Sequence, residues 1–168
     1  MAYSIIPKIR KDGTLRLLDG TSSPVELIVA YEEGNLTFDV PGDDQILIRD
    51  RSALSCIRAG DSQPITGSFS FYFRDFTDSE VGSVRDFITK QNAYSANIST
   101  GATGIPYMDA YAIDIKYQIN SALDGNTTSD SFAQISKAIC SYSWAEGDPG
   151  TFTISFTAYG DVAYTAGS

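Results

Sequence analysis

With 168 residues, 42% of them hydrophobic and 12% aromatic, the chain is long enough to bury a core without staples, as a single domain over residues 1–168. Its 12 basic residues stand against 21 acidic ones, for a net charge of -9, and it has no histidine. That balance excludes a protein that grips nucleic acid through its phosphates, and it excludes Ser-His-Asp, Cys-His and His-ligated metal chemistry, while leaving open a channel that DNA slides through.

The wealth of Tyr, Phe, Ser and Thr over Met favours strands, so the expectation is a mainly β protein. Residues 1–12 read as a basic N-terminal arm with Lys8, Arg10 and Lys11, and nothing in "MAYSIIPKIRKDG" resembles a cleavable leader. No run of about eighteen apolar residues occurs, so a protein made and kept in the cytoplasm is expected. From Gly13, "GTLRLL" reads as a short strand. "VELIVAYEEGNLTFDVP" reads as a hairpin, with Val25, Leu27, Val29 and Tyr31 on one face, "EEGN" as the turn, and Leu36, Phe38 and Val40 resuming the alternation. "PGDD", Pro41 to Asp44, breaks it, and "QILIRDRSALSCIRAGDSQP" supplies one or two further short strands carrying Arg49, Arg51 and Arg58.

In "GSFSFYF", Phe69, Phe71 and Phe73 share one face of a strand and Ser68, Ser70 and Tyr72 the other. The period then changes. Thr77 and Glu80 form a capping box ahead of the apolar stripe Val81, Val84, Phe87 and Ile88, which predicts one helix at about 78–91. Residues 92–109 have no period and read as a long loop, as do residues 120–131. Between them, "YAIDIKYQI" alternates Tyr111, Ile113, Ile115, Tyr117 and Ile119 with Ala112, Asp114, Lys116 and Gln118. "FAQISKAICSYSWAEGDPGTFTISFTAYG" reads as a long hairpin with a bulge near Lys137 and Ala138, in which Phe152, Ile154, Phe156 and Ala158 oppose Thr151, Thr153, Ser155, Thr157 and Tyr159. The predicted architecture is an antiparallel β-sandwich or half-barrel with one flanking helix.

Little in the sequence carries catalysis. Cys56 and Cys140 lie in strand-like runs and read as reduced core thiols. "GATG" lacks the lysine of a phosphate cradle, and the acid pairs Asp43/Asp44, Asp75/Asp78 and Glu146/Asp148 lack calcium-loop spacing and read as solvated loop residues. No cofactor and no enzymatic activity are expected. The polar strand faces, Ser68/Ser70 and Thr153/Ser155/Thr157, have two readings: the solvated outside of a sandwich, or the lining of a water-filled pore built by several subunits.

Three segments together, "VELIVAYEEGNLTFDVP", "GDSQPITGSFSFYFRDFTDSEVGSVRDFI" and "SYSWAEGDPGTFTISFTAYG", resemble the tail tube proteins of long-tailed bacteriophages. The resemblance implies a tail-tube fold and a structural virion protein. Its hexameric rings stack into a tube around a tape-measure protein, between tail-tip initiator and terminator proteins, and DNA passes through the lumen without specific binding. It implies assembly in the host cytoplasm, residence in the virion tail, and no membrane partner. Candidate lumen-facing residues are Ser68, Ser70, Asp114, Thr153 and Ser155. Candidate ring-stacking and intersubunit residues are Lys8, Arg10, Lys11, Glu32, Glu33, Asp43 and Asp44, since stacking needs unlike surfaces in contact. No appended immunoglobulin-like domain is expected. The competing expectation is a monomeric carbohydrate-binding β-sandwich that stacks sugars on its aromatics, with Trp144 the obvious platform.

Overall fold

The computed structural model describes residues 13–29, 35–72, 79–101, 110–120 and 130–165, with residues 79–83 as backbone only. In chain order these form β1 (Gly13–Leu18), β2 (Glu26–Val29), β3 (Thr37–Asp39), β4 (Gln45–Asp50), β5 (Ala53–Ala59), β6 (Ile65–Tyr72), α1 (Ser79–Thr89), a 3-10 turn at Asn92–Tyr94, β7 (Ile113–Ile119), β8 (Ser131–Ala145), β9 (Thr151–Ala158) and β10 (Val162–Thr165). All pairings are antiparallel, and one eight-stranded sheet runs β2-β1-β7-β8-β9-β6-β3 with β10 beside β8. The mainly β architecture with one flanking helix agrees with the sequence.

Alternation determines the core. Leu15 and Leu17 of β1, Phe69 and Phe71 of β6, Ile113 and Ile115 of β7, and Phe152, Ile154 and Phe156 of β9 are buried in one cluster, closed by Val84, Phe87 and Ile88 of α1. Burying each such side chain contributes about 1.5–3 kcal/mol. Leu27 at one edge of the sheet and Phe38 at the other pack against this same cluster, so the sheet curls around it as a half-barrel. The helix ends where Lys90 takes φ 56° and Gln91 N–H donates to the Asp86 carbonyl at 2.9 Å, a left-handed cap that stops it short of residue 91.

Two expectations are corrected. The strands of "VELIVAYEEGNLTFDVP" do not pair with each other: β2 joins β1 through Leu15↔Val29, and β3 joins β6 through Phe38↔Gly67, at opposite edges of the sheet. Alternation makes each a strand, but the partner is chosen by the core, and Gly67 leaves room for β3 and the Phe156 ring to close in together. Cys56 is not a core thiol. It is exposed on β5, whereas Cys140 packs against the core, where burial pushes its thiol from 9.0 up to about 12. The bulge expected near Lys137 is present, with Lys137 at φ 58°.

Among the described residues, strands β4 and β5 pair only with each other and form a separate two-stranded arm. Every residue of both strands is exposed.

Candidate functional site

Away from the core, the adjoining strands β8, β9 and β6 present a face built from the other half of each alternation. Pairing register aligns it in rows: Ser143–Thr153–Ser70, Ser141–Ser155–Ser68 and Ile139–Thr157–Thr66. Ser141, Ser143, Ser155 and Thr66 are exposed, while Thr153, Thr157, Ser68 and Ser70 are half-buried. None of these side chains is charged. The short strand β3 extends the face with Thr37, whose hydroxyl lies 3.4 Å from that of Ser68, and puts Asp39 opposite Thr66 at the rim. Beyond the end of β3, the Asn35 side-chain carbonyl accepts the Ser70 backbone N–H at 2.9 Å, standing in for a strand partner. The Ser141 hydroxyl donates to the Ser155 carbonyl at 3.3 Å across β8 and β9. This neutral hydroxyl surface can be hydrated, and it offers a polyanion no cation to bind.

Of the expected lumen residues, Ser68, Ser70, Thr153 and Ser155 are thus brought together on neighbouring strands. Asp114 is not among them. It lies on β7, which flanks β8 on the side away from β9, where its carboxylate accepts from Gln134 Nε2 at 2.8 Å and from the Lys137 backbone N–H at 3.2 Å. Sequence reasoning missed Ser141 and Ser143 as members, although their alternation with Tyr142 and Trp144 carries the same signal as β9.

The intersubunit candidates divide. Lys8, Arg10, Lys11, Glu32 and Glu33 lie outside the described residues. Asp43 and Asp44 sit exposed at the root of the β4–β5 arm. There Asp44 receives Gln63 Nε2 on its carboxylate at 2.8 Å and Gly60 N–H on its carbonyl at 2.6 Å, which locks the entering and leaving chains together. Of the acid pairs, Glu146 and Asp148 are exposed in the β8–β9 turn, and Asp75 and Asp78 lie outside the described residues. Among the described residues no group of three or more acidic or thiol side chains comes together.

At the turn end of β8 and β9 aromatic side chains gather on the core side of the sheet. Phe71 and Phe152 stack at 5.7 Å, Tyr142 stacks on Phe152 at 6.3 Å, and Tyr142 and Trp144 are each 47% exposed. The result is an aromatic shelf, with Trp144 directly opposite Phe152.

No family model and no curated protein matches the sequence. Among solved structures, a chain of the extended sheath–tube complex of an extracellular contractile injection system, PVC, aligns with TM-score 0.59 at 14% identity, over 97% of this chain and 94% of that one. A chain of the same system's sheath/tube terminator in the extended state aligns with TM-score 0.59 at 14% identity, over 97% and 99%. The likeness is one of fold. It extends over nearly all of this chain, so the mainly β fold with one helix expected from the sequence is one shared with chains of that injection system.

Proposed function

We propose that this chain is a structural tube protein of a phage-like tail or injection particle, whose copies join into hexameric rings that stack. The hydroxyl face over β6, β8 and β9 lines the lumen, with Ser68, Ser70, Thr153 and Ser155 on the wall and Asp114 toward its margin. A tape-measure protein occupies the lumen during assembly in the host cytoplasm. Initiator and terminator proteins bound the tube, and DNA then passes through it. The observation that carries this reading is the uncharged, hydroxyl-rich face, on a fold shared with chains of an injection system's sheath–tube and terminator assemblies. Phosphates moving past such a wall release no counterions and meet no adhesive sites, so transit meets few energetic traps. In the same reading Lys8, Arg10 and Lys11 of one ring oppose Glu32, Glu33, Asp43 and Asp44 of the next.

Negative-stain electron microscopy at high protein concentration, with sedimentation of the same sample, tests the proposal. Rings or hollow tubes are expected. A chain that stays monomeric, alone and with fragments of sonicated tail particles as nuclei, would overturn it. The second reading, a carbohydrate-binding module, is favoured by one observation, the exposure of Trp144 beside Tyr142. It requires that glycans change the fluorescence of this single tryptophan in the unassembled protein.

A further inference from the structure

Among the described residues three buried side-chain polar atoms have no hydrogen-bond partner, and two of them, Asp19 Oδ2 and Thr100 Oγ1, belong to residues lining one cleft of about 340 Å³. Buried oxygens of this kind are costly unless a water or an ion meets them. Asp19 is 3% exposed and uses its carboxylate unevenly. Its Oδ1 accepts the Thr21 and Val25 backbone N–H groups at 3.2 and 3.0 Å and the Thr21 hydroxyl at 2.8 Å, which closes the turn after β1, while Oδ2 receives no donor.

The cleft is assembled from separate parts of the chain that hydrogen bonds hold in place. Asp19 follows Leu18, whose partner across the β1–β7 ladder is Asp114. Gly20 N–H donates to the Ile98 carbonyl at 2.7 Å, and a Cβ at Gly20 would lie 2.5 Å from the Ser99 backbone, so only glycine lets this segment close on Asp19. Thr100 N–H in turn donates to the Ala112 carbonyl at 2.9 Å, and Ser99 Oγ accepts the Ala112 N–H at 2.8 Å. Gln134 of β8 completes the wall. Its Nε2 donates to Asp114 Oδ2 at 2.8 Å, which leaves its amide oxygen as an acceptor.

Charge and donor type select the ligand. Among the described residues two carboxylates line the cleft, and no lysine or arginine does. The cations next along the ladder, Arg16 and Lys116, are turned to other partners: Arg16 Nη1 lies 2.6 Å from Glu26 Oε2, and Lys116 Nζ lies 4.3 Å from the centre of the Phe132 ring. A water could donate to one of the oxygens, but it would not offset two carboxylates that share a cleft. A wall of carboxylate, hydroxyl and amide oxygens, without nitrogen or sulfur ligands, suits a hard cation. Oxygens drawn from a turn, a loop and two strands make an irregular set, which calcium accepts with bonds of about 2.3–2.6 Å, whereas magnesium requires a near-ideal octahedron.

We propose that this cleft binds a calcium ion through Asp19 Oδ2, the Thr100 hydroxyl, Asp114 and the Gln134 amide oxygen, with water completing the shell. The ion ties the turn after β1 to the loop before β7 and to β8. With only two carboxylates the dissociation constant falls at about 0.1–1 mM, the range of sites that fill where calcium is plentiful. Every ligand comes from one chain, so the site does not rest on the tube reading.

Thermal unfolding of the chelator-treated, unassembled chain, with calcium chloride or magnesium chloride added at matched ionic strength, tests the site, together with calorimetric titration of calcium. About 10 mM calcium is expected to raise the wild-type Tm by several degrees, and magnesium by less than half as much. Asp19→Asn keeps the oxygen that accepts the backbone N–H groups, so the fold is retained while calcium binding weakens at least about tenfold. Asp114→Asn has the same effect from β7, and Thr100→Ser, which keeps the hydroxyl, binds as wild type does. Glu146→Gln/Asp148→Asn removes exposed carboxylates elsewhere and leaves the calcium response unchanged, which separates the site from diffuse binding to an acidic chain. A wild-type Tm indifferent to calcium, equal shifts by calcium and magnesium, or a calcium response in Asp19→Asn or Asp114→Asn equal to that of wild type overturns the proposal.

Discussion

Replacing Gly67 by alanine tests how the short strand β3 is held against the sheet that carries the hydroxyl face. A Cβ built on Gly67 lies 2.4 Å from Phe156 Cζ and 2.5 Å from the Thr37 carbonyl oxygen. Carbon pairs pack best near 3.5–4.0 Å, so the ring edge has to retreat by about 1 Å and the β3 backbone by a similar amount. The ring has nowhere to go, since Phe156 is 3% exposed, and β3 is only three residues long. Overpacking of this kind costs about 1–3 kcal/mol, and loosening the β3 ladder adds about 0.5–1 kcal/mol. For a chain of this size that is a fall in Tm of roughly 5–15 °C. Urea unfolding of the unassembled protein, followed by circular dichroism, measures it. The sign is itself informative, because in a strand with no clash alanine would stabilise relative to glycine by about 0.5–1 kcal/mol. Phe156→Leu removes the Cζ and Cε1 atoms responsible, so the double variant is expected to be less destabilised than the sum of the singles by at least ~1 kcal/mol. A neutral or stabilising Gly67→Ala, or strict additivity with Phe156→Leu, refutes the close-approach argument.

Asp19, 3% exposed, accepts the backbone N–H groups of Thr21 and Val25 and the Thr21 hydroxyl on a single carboxylate oxygen, so Asp19→Ala is expected to cost about 2–4 kcal/mol in urea unfolding and Asp19→Asn, which keeps that oxygen, less than half as much. Cys56 should react with a thiol reagent in the native unassembled chain and Cys140 only after unfolding; two fast thiols in the native protein would contradict the burial of Cys140. Because the folded-state value of the Cys140 thiol is raised, its contribution to stability is complete below the unfolded value of 9.0 and is lost as pH rises toward about 12, so a pH series of urea midpoints should fall over that window in wild type and less in Cys140→Ala. On the hydroxyl face, Ser141→Lys/Ser155→Lys is expected to leave stability within about 0.5 kcal/mol and to make assembled tubes retain DNA in a steeply salt-dependent way that wild-type tubes do not show. Equal retention by both would remove the lumen from this face.

The parts of the fold legible in sequence are those where one local pattern decides the outcome. The two-residue period of Phe69–Phe71 and of Phe152–Ile154–Phe156 places both strands and both faces correctly, because one-sided burial makes the register unambiguous. The same period places Ser68, Ser70, Thr153 and Ser155, and pairing then joins them into rows. What the period cannot encode is partnership. β2 and β3 look like a hairpin, yet each finds its neighbour through distant contacts, at Leu15 and Gly67 respectively. Nor can it tell a strand buried on both faces by its own fold from one left exposed, which is why Cys56 reads as a core thiol. Asp114 alternates as expected on β7, but that β7 pairs with the first half of β8, below the hydroxyl rows of its second half, is a property of topology. β10 is four residues long, too short to show a period.

The distribution of charge shows why a hydroxyl face belongs in so acidic a chain. Subunits of net charge -9 repel when packed side by side, and at physiological salt that repulsion is screened beyond about 8 Å while contacts at hydrogen-bond distance are screened little. Repulsion is worst where a closed ring converges, at the centre, since copies of one face point at each other across the narrowest gap. If the proposed tube forms, carboxylates there would be forced together in every ring, whereas serine and threonine would keep the wall wet without that cost and lysine or arginine would hold on to any polyanion passing through. Acidic residues are instead kept at the arm root, with Asp43 and Asp44, and in the β8–β9 turn, with Glu146 and Asp148. Net charge on the outer surfaces sets unassembled copies in mutual repulsion, so cohesion between them has to come from short-range contacts.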